Sequence, residues 1–258
     1  MNPQQTWTAF YTIIRKDVVR MFRIWPQTFL PSMVTSTLYF LIFGAFLGTK
    51  IGLVQGVPYI MFVVPGLVML AVVTNSYANT SFVMFSSKFF GRSIDEILVS
   101  PTPPWVLVAG YVTGGLVRGV MVGILVLLVA LFFTQLVVHN IFVVIGFLLL
   151  TSLVFSLAGL VNGVYAKTID GINIVPTFVL TPLVYLGGVF YSAQTLPGFW
   201  GALTKVDPIF YIINGFRYGF LGASDVPILY STGLLVFFAI VLIAIGLHLI
   251  KNGLGLKQ

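Results

Sequence analysis

The carboxylates of this sequence avoid its long apolar stretches. A membrane protein that moves protons needs a titratable group at depth, because something must bind and release the proton. The distribution therefore argues against proton-coupled transport. The six carboxylates, all outside those stretches, are Asp17, Asp95, Glu96, Asp170, Asp207 and Asp225.

Motifs for catalysis and metal binding are missing from the sequence. There is no Cys, and the two His residues, His139 and His248, lie near the ends of apolar stretches, so neither thiol chemistry nor a His/Cys metal site is predicted. A G-x-x-x-x-G-K-[ST] phosphate loop is also missing. We expect a chain that is not an enzyme and holds no cofactor. The energy for any uphill transport must then enter from another chain.

A short helix is predicted within residues 86–100, between two apolar stretches. Ser93 caps it and Glu96 stands at its third position, the pairing of a capping box, and Pro101 ends it. Such a helix suits docking into a groove on a soluble partner, although a plain connector explains the pattern equally well. The candidate docking residues are Arg92, Ile94, Asp95, Glu96, Ile97 and Leu98.

Arg118 is the one charged residue inside an apolar stretch. It lies about 14 residues into that stretch, or roughly 21 Å along a helix. An unpaired Arg near the middle of a bilayer costs at least about 2.5 kcal/mol. Arg118 therefore either contacts a substrate or ties its helix to Asn162 or to backbone carbonyls, and we favour the structural tie.

These residues belong to a chain whose composition requires a membrane. Of its 258 residues, 59% are hydrophobic and 7% are charged, against roughly 25% charged in a soluble domain. Six apolar stretches reach the length of about 20 residues that a helix needs to cross a bilayer. They predict an all-α polytopic fold, a single transmembrane domain over residues 1–258, with spans at about 27–48, 59–84, 105–134, 140–165, 172–192 and 227–250.

The basic residues predict how the chain is oriented. Cytoplasmic loops carry the excess of Lys and Arg. The side of the membrane with more Lys and Arg is therefore taken as the inside, and both termini are expected in the cytoplasm. The net charge of +7 is explained by this bias, and no nucleic-acid partner is expected. The inner residues are Arg15, Lys16, Arg20, Arg23, Lys88, Arg92, Lys167, Lys251 and Lys257, and the outer ones are Lys50, Lys205 and Arg217.

Two further segments are apolar without being predicted to span. Residues 4–25 place Trp7, Tyr11 and Trp25 on one helical stripe, with Arg20 off it, which predicts a helix lying in the inner interface with its cations near anionic headgroups. The stretch 193–226 is rich in aromatic residues but broken by prolines. It predicts a re-entrant helical hairpin at the outer face, whose non-helical backbone must be buried in protein or line a cavity.

In this order, the segments resemble the permease subunit of type-2 ABC transporters, in the drug and polysaccharide exporter family. Arg92-Ser-Ile-Asp-Glu-Ile-Leu-Val-Ser-Pro-Thr-Pro resembles the coupling helix of that family, and residues 4–25 resemble its connecting helix. Gly188-Val-Phe-Tyr-Ser-Ala-Gln-Thr-Leu-Pro-Gly-Phe-Trp and Val206-Asp-Pro-Ile-Phe-Tyr-Ile-Ile-Asn-Gly-Phe-Arg217 resemble its outer hairpin. The resemblance covers nearly the whole length. It is closest to small permeases that lack a large external domain and are encoded apart from their ATPase.

The resemblance implies a homodimer of permeases in a bacterial inner membrane, docked on two copies of an ABC ATP-binding subunit that holds ATP and Mg²⁺. It also implies ATP-driven export through a pathway between the two permeases, lined by the first, second and fifth spans. Polar residues of the second and fifth spans are pathway candidates by location, although interhelical hydrogen bonds of about 0.6–2 kcal/mol explain each of them as well. These candidates are Asn75, Tyr77, Asn79, Thr177, Thr181 and Tyr185.

Two other functions are compatible with the sequence. One is a membrane carrier or channel that needs no ATPase, and the other is a non-transporting scaffold whose loop helix recruits a soluble protein. For a transporter, the near-absence of charge within the spans and the 24 Phe and 11 Tyr residues favour a hydrophobic or amphiphilic cargo. A drug, a lipid or a lipid-linked glycan would fit that description.

Overall fold

The computed structural model describes residues 2–90, 94, 100–192 and 198–255. Within these ranges the chain is almost entirely helical, and six helices are long and apolar enough to cross a membrane. The predicted all-α fold with six spans is confirmed. The elements are α1 (Pro3–Arg23), α2 (Trp25–Ile51), β1 (Leu53–Val54), β2 (Val57–Pro58), α3 (Tyr59–Phe89), α4 (Pro104–Ala130), α5 (Ile141–Tyr165), α6 (Ile169–Leu186), α7 (Gly198–Val206), α8 (Pro208–Leu221) and α9 (Ile228–Asn252).

Several helix ends follow from local chemistry. Asn140 caps α5, because its side-chain oxygen accepts hydrogen bonds from the amides of Phe142 and Val143. α6 ends before Gly188, whose φ of 80° favours glycine, so this span is shorter than the sequence predicts. α3 has 31 residues and is about 46 Å long, well over the roughly 30 Å of the hydrocarbon core. This helix must tilt or project beyond the lipid.

α3 is the central helix of the bundle. It packs against α4, α5 and α8, and small residues allow the close approach. A Cβ atom at Gly115 or Gly119 of α4 would overlap hydroxyl groups of α3, and one at Gly159 of α5 would overlap the backbone carbonyl of Tyr77. These glycines therefore serve helix packing, as small residues do in membrane bundles.

The bundle has two distinct ends. At one end, the C-terminal turns of α3, α5 and α9 meet the start of α4 in a small apolar cluster that includes Met84, Leu107, Val164 and Leu249. Because Lys88, Lys167 and Lys251 lie on or next to these turns, we call it the basic end. At the opposite end, the Asn140 amide that begins α5 donates to the Gly219 carbonyl of α8 at 2.9 Å. We call this the hairpin end, since α7 and α8 lie there.

α1 packs along the start of α4. Ile13 faces Gly110 and Asp17 faces Gly114, so the contacts advance by one turn on each helix and the two helices run in the same direction. Trp7 remains exposed on the outer side of α1, as expected for a helix in contact with lipid. The Arg20 guanidinium bonds to Asp17 of its own helix and to Asn79 of α3, and the contact of this helix with lipid headgroups stays a prediction.

α7 and α8 occupy the described part of the predicted hairpin. The side chain of Asp207 caps α8 by accepting from the Ile209 amide at 2.8 Å, and Gly222 ends the helix with a φ of 69°. Most of α8 is buried against α3, α5 and α9. Its depth in a bilayer stays a prediction.

Candidate functional site

A network of polar side chains joins α1, α3 and α4. Asp17 accepts from Asn79 Nδ2 at 2.9 Å and pairs with Arg20 at 2.6 Å. Arg20 also donates to Asn79 Oδ1 at 3.0 Å, and Arg118 donates to the same oxygen at 3.4 Å. The carboxylate therefore pairs with one cation, Arg20, and the amide of Asn79 bonds to all three charged groups.

Arg118 has different partners from those that the sequence suggested. It donates to Asn79 and Asn75 at 3.4 Å each, and Asn162 donates instead to Ser81 Oγ and to the Ile172 carbonyl, both at 3.0 Å. The structural tie is present, but with Asn75 and Asn79 of α3. Hydrogen bonds of this length are weak, and the buried Nε of Arg118 has no partner within the described residues. The guanidinium therefore retains donor capacity.

A groove of about 270 Å³ runs between α2, α3 and α6. Asn75 forms part of its wall and donates to Ser32 Oγ of α2 at 3.0 Å. Because Asn75 also accepts from Arg118, the groove and the charged network meet at this residue. The other polar side chains of the wall are Thr35, Ser36, Tyr39, Thr74, Thr181 and Tyr185.

Aromatic side chains line the groove toward the hairpin end. The hydroxyls of Tyr39 and Tyr185 are 3.3 Å apart, which joins α2 to α6 across the groove. Phe43 stacks on Phe190 with ring centroids at 4.3 Å, and Tyr185 stacks on the same ring. The groove thus combines neutral hydroxyl and amide groups with aromatic surface, which suits an uncharged or amphiphilic ligand.

The two helices that flank the groove contain the π-helical segments of the described chain. One is Phe40–Leu47 in α2 and the other is Pro176–Leu180 in α6. In α6, the Pro176 carbonyl accepts from both the amide and the hydroxyl of Thr181, the latter at 2.9 Å. Pro176 has no N–H to offer the Ile172 carbonyl four residues earlier, and that carbonyl accepts from Asn162 Nδ2 at 3.0 Å. Short π-helical segments often occur at functional sites, and each of these two directly adjoins a residue of the groove wall, Tyr39 or Thr181.

The structure separates the six pathway candidates into two groups. Asn75, Thr181 and Tyr185 line the groove. Asn79 and Tyr77 are buried in the helix core, and Thr177 is exposed on α6 without lining the groove. Asn79 belongs to the charged network, so its contacts are those of an interhelical tie.

Most of the docking candidates lie outside the described residues, namely Arg92, Asp95, Glu96, Ile97 and Leu98. Ile94 is described, and its side chain is 1% exposed and packs in the apolar cluster of the basic end. Its contacts are therefore with its own bundle. Of the predicted docking residues, the described one, Ile94, therefore contacts the basic end of the bundle.

Sequence analysis missed two buried cations. Lys88 donates to the Val164 carbonyl at 2.7 Å and so ties the last turn of α3 to the last turn of α5. Arg217, predicted within the outer hairpin segment, is 1% exposed and lies 3.7 Å over the ring of Phe62, with a hydrogen bond to the Gly188 carbonyl. The spacing of apolar residues around Arg217 was the available signal, because it predicts a helix that is buried on nearly all sides.

A bundle of six spanning helices with a polar groove between three of them defines a multi-pass membrane protein of the transport class. The chain belongs to the ABC-2 type transporter family, whose profile matches residues 8–221. It is 52% identical over 252 residues to the inner membrane transport permease YadH of Escherichia coli strain K12, with 98% of each chain covered. It is 24% identical over 241 residues to nodulation protein J of Rhizobium meliloti, with 93% of this chain and 91% of that protein covered.

These relationships settle the general role of the chain. It is the permease subunit of a transporter in the inner membrane, and membership of this family implies pairing with an ATP-binding subunit. The groove between α2, α3 and α6 is the natural candidate for contact with a transported molecule.

Proposed function

We propose that this permease exports a hydrophobic or amphiphilic molecule across the inner membrane, driven by ATP hydrolysis on a separate subunit and without catalysis of its own. The observation that carries the proposal is the groove, which is lined by hydroxyls, one amide and aromatic rings. The described residues that line the groove are all uncharged. The Arg118 guanidinium donates a hydrogen bond to one of them, Asn75. A molecule with an apolar part and neutral polar groups matches these surfaces.

The pathway lies between two copies of the chain. Thr35, Thr177, Thr181 and Tyr185 are exposed on the outer sides of α2 and α6. Polar side chains within a span are costly against lipid tails and usually face protein or a water-filled cavity. A second copy packed against this side would remove the hydroxyls from lipid and enclose the groove.

The ATP-binding subunit docks at the basic end, one subunit on each permease. Residues 92–98 follow directly on α3, whose last turn Lys88 ties to α5. Ile94 attaches this segment to the apolar cluster of the bundle, and movement of the segment would therefore be passed to α3. The same end carries most of the basic side chains, which supports a cytoplasmic location for it and for both termini.

Reconstitution tests the transport proposal. The permease and its ATP-binding subunit are placed in proteoliposomes, and movement of a fluorescent amphiphile is followed with and without ATP. We expect ATP-dependent movement that Thr181→Leu reduces at least about tenfold, because the larger apolar side chain fills the groove. Thr232→Leu in α9, which lies away from the groove, is the matched control and should keep full activity.

The alternative functions predict different results in the same assay. Full transport without ATP would indicate a carrier or channel, and tight binding of the ATP-binding subunit without any transport would indicate a scaffold. Docking is tested separately by co-purification with Glu96→Lys. We expect loss of the ATP-binding subunit with this variant and retention with Asp170→Lys, a charge reversal at an exposed carboxylate of α6.

A further inference from the structure

A second cavity system lies on the opposite side of α6 from the groove. Its inner part is a crevice of about 160 Å³ between α5, α6, α8 and α9. Every residue that lines it is apolar, among them Phe155, Ala158, Leu180, Ile212 and Leu242. Such a crevice offers no hydrogen bond to a polar group, so it suits a hydrocarbon chain.

The outer part of this cavity system is lined by polar as well as apolar side chains. It has a volume of about 280 Å³ and is lined at its mouth by Lys205, Tyr211 and Tyr230. The inner and outer parts share Pro208, Leu234 and Phe238 as wall residues, so they adjoin and are treated together as one slot. We call it the α9 slot.

The mouth of the α9 slot carries groups that recognise an anion. Lys205 is exposed, and no carboxylate within the described residues is paired with it. The Tyr211 hydroxyl donates to the Lys205 carbonyl at 2.8 Å, which fixes the end of α7 over α8. Trp200 and Tyr230 are exposed nearby, and Trp and Tyr are typical of the level of the lipid headgroups.

The length of the slot matches one leaflet of a bilayer. From Tyr230 at the mouth to Leu242 at the bottom, α9 rises about 18 Å at 1.5 Å per residue. Half of the hydrocarbon core is about 15 Å thick. A lipid with its phosphate at the mouth would therefore place one acyl chain along the whole slot.

We propose that the α9 slot binds a phospholipid of the leaflet at the hairpin end, with its phosphate at Lys205 and Tyr230 and one acyl chain between α5, α6, α8 and α9. This site is distinct from the transport groove, since α6 separates them: Leu180 faces the slot and Thr181 faces the groove. The proposal does not depend on which molecule is transported.

The test is lipid binding to the purified, delipidated protein, measured by native mass spectrometry during titration with phosphatidylglycerol. We expect one tightly bound lipid per chain. Lys205→Gln should weaken it about fivefold, the effect of one basic residue near a phosphate. Ala158→Phe should weaken it at least about tenfold, because the ring overlaps the acyl chain. Ala158→Leu, a smaller change, should act in the same direction if the Phe variant does not fold.

Matched variants and ligands make the test specific. Lys50→Gln removes an exposed lysine at the hairpin end and Ala244→Phe adds a ring on the exposed side of α9; both should bind lipid as the parent protein does. Diacylglycerol, with tails but no phosphate, should bind more weakly than phosphatidylglycerol, and free inorganic phosphate should not compete. Equal binding of diacylglycerol, unchanged binding by Lys205→Gln, or unchanged binding by both Ala158 variants would each overturn the proposal. So would loss of dimers in the Ala158 variants with lipid binding intact, because a second copy would then occupy the slot.

Discussion

Asp17 and Asn79 join α1 to α3 through a single hydrogen bond of 2.9 Å, from the amide nitrogen of Asn79 to the carboxylate. Asn79 is fully buried, and its oxygen accepts from Arg20 and Arg118. The neutral side chain of Asn79 is therefore hydrogen-bonded to three charged side chains. This bond connects α1 to α3, the helix that precedes the predicted docking residues.

Replacement of Asn79 tests this connection. Asn79→Leu keeps the volume but leaves Asp17 and both arginines without the shared amide. We expect the free energy of unfolding to fall by about 2 kcal/mol, near the upper end for hydrogen bonds between membrane helices. The measurement is reversible unfolding in mixed detergent. Asn252→Leu, at an exposed position near the end of α9, is the control. An equal fall in its free energy of unfolding would show that the network does not stabilise the protein.

Gly114 makes room for the Asp17 carboxylate. A Cβ atom at Gly114 would overlap the side chain of Asp17, so Gly114→Ala must push the Asp17 carboxylate out of its hydrogen-bonded position. We expect a destabilisation of about 1–3 kcal/mol, the usual cost of overpacking, and weaker stimulation of the ATPase by the permease. Gly146→Ala in α5 is the control because nothing lies within 4 Å of its added methyl group. Gly146→Ala should be neutral or stabilising by up to about 1 kcal/mol, and similar destabilisation by the two changes would disprove the steric account.

The spans could be predicted from the sequence because hydropathy and length are local properties of the chain. The groove was predictable in part: Asn75, Thr181 and Tyr185 are polar residues in apolar helices, and the family resemblance indicated which spans to consider. The charged network was not predicted, since the position of Asp17 depends on how α1 packs on α4. A signal for this packing is present in the sequence. Ile13 and Asp17 have the same four-residue spacing as Gly110 and Gly114, which they contact.

The partners of Arg217 could not be predicted from the sequence, for a different reason. Its cost of burial is offset by the ring of Phe62 and the carbonyl of Gly188, which come from distant parts of the chain. No local pattern around Arg217 specifies these partners. Its helix lies at the hairpin end, and its side chain is buried there.

The contact between Arg217 and Phe62 should be measurable as a coupling energy. The guanidinium carbon lies 3.7 Å from the ring centroid, and a planar guanidinium stacks in a way that an ammonium does not. In a double-mutant cycle of Arg217→Met and Phe62→Leu, we expect a coupling of about 1–2 kcal/mol, the range for a desolvated cation–π pair. Unfolding free energies of the four proteins give this value. Strict additivity would mean that the stacking does not stabilise the protein.

The carboxyl group of Asp207 should make stability depend on pH. It lies between α7 and α8, outside the six spans, and burial raises its pKa to about 7, while the hydrogen bond from the Ile209 amide acts in the opposite direction. Its Oδ2 atom is buried without a partner in the described structure. In the unfolded chain an Asp titrates near pH 4. Between these values the folded protein holds one proton more than the unfolded chain.

The free energy of unfolding should therefore fall as the pH rises from about 4 to about 7, with a slope from this group of at most about 1.4 kcal/mol per pH unit. Above pH 7 the contribution should be constant. Asp207→Asn keeps an oxygen that can cap the Ile209 amide but cannot ionise, so its stability should lack this slope. The check is unfolding at several pH values for the parent protein, Asp207→Asn and the control Asp170→Asn, whose carboxylate is exposed. Parallel pH profiles for the parent and Asp207→Asn would rule out Asp207 as the titrating group.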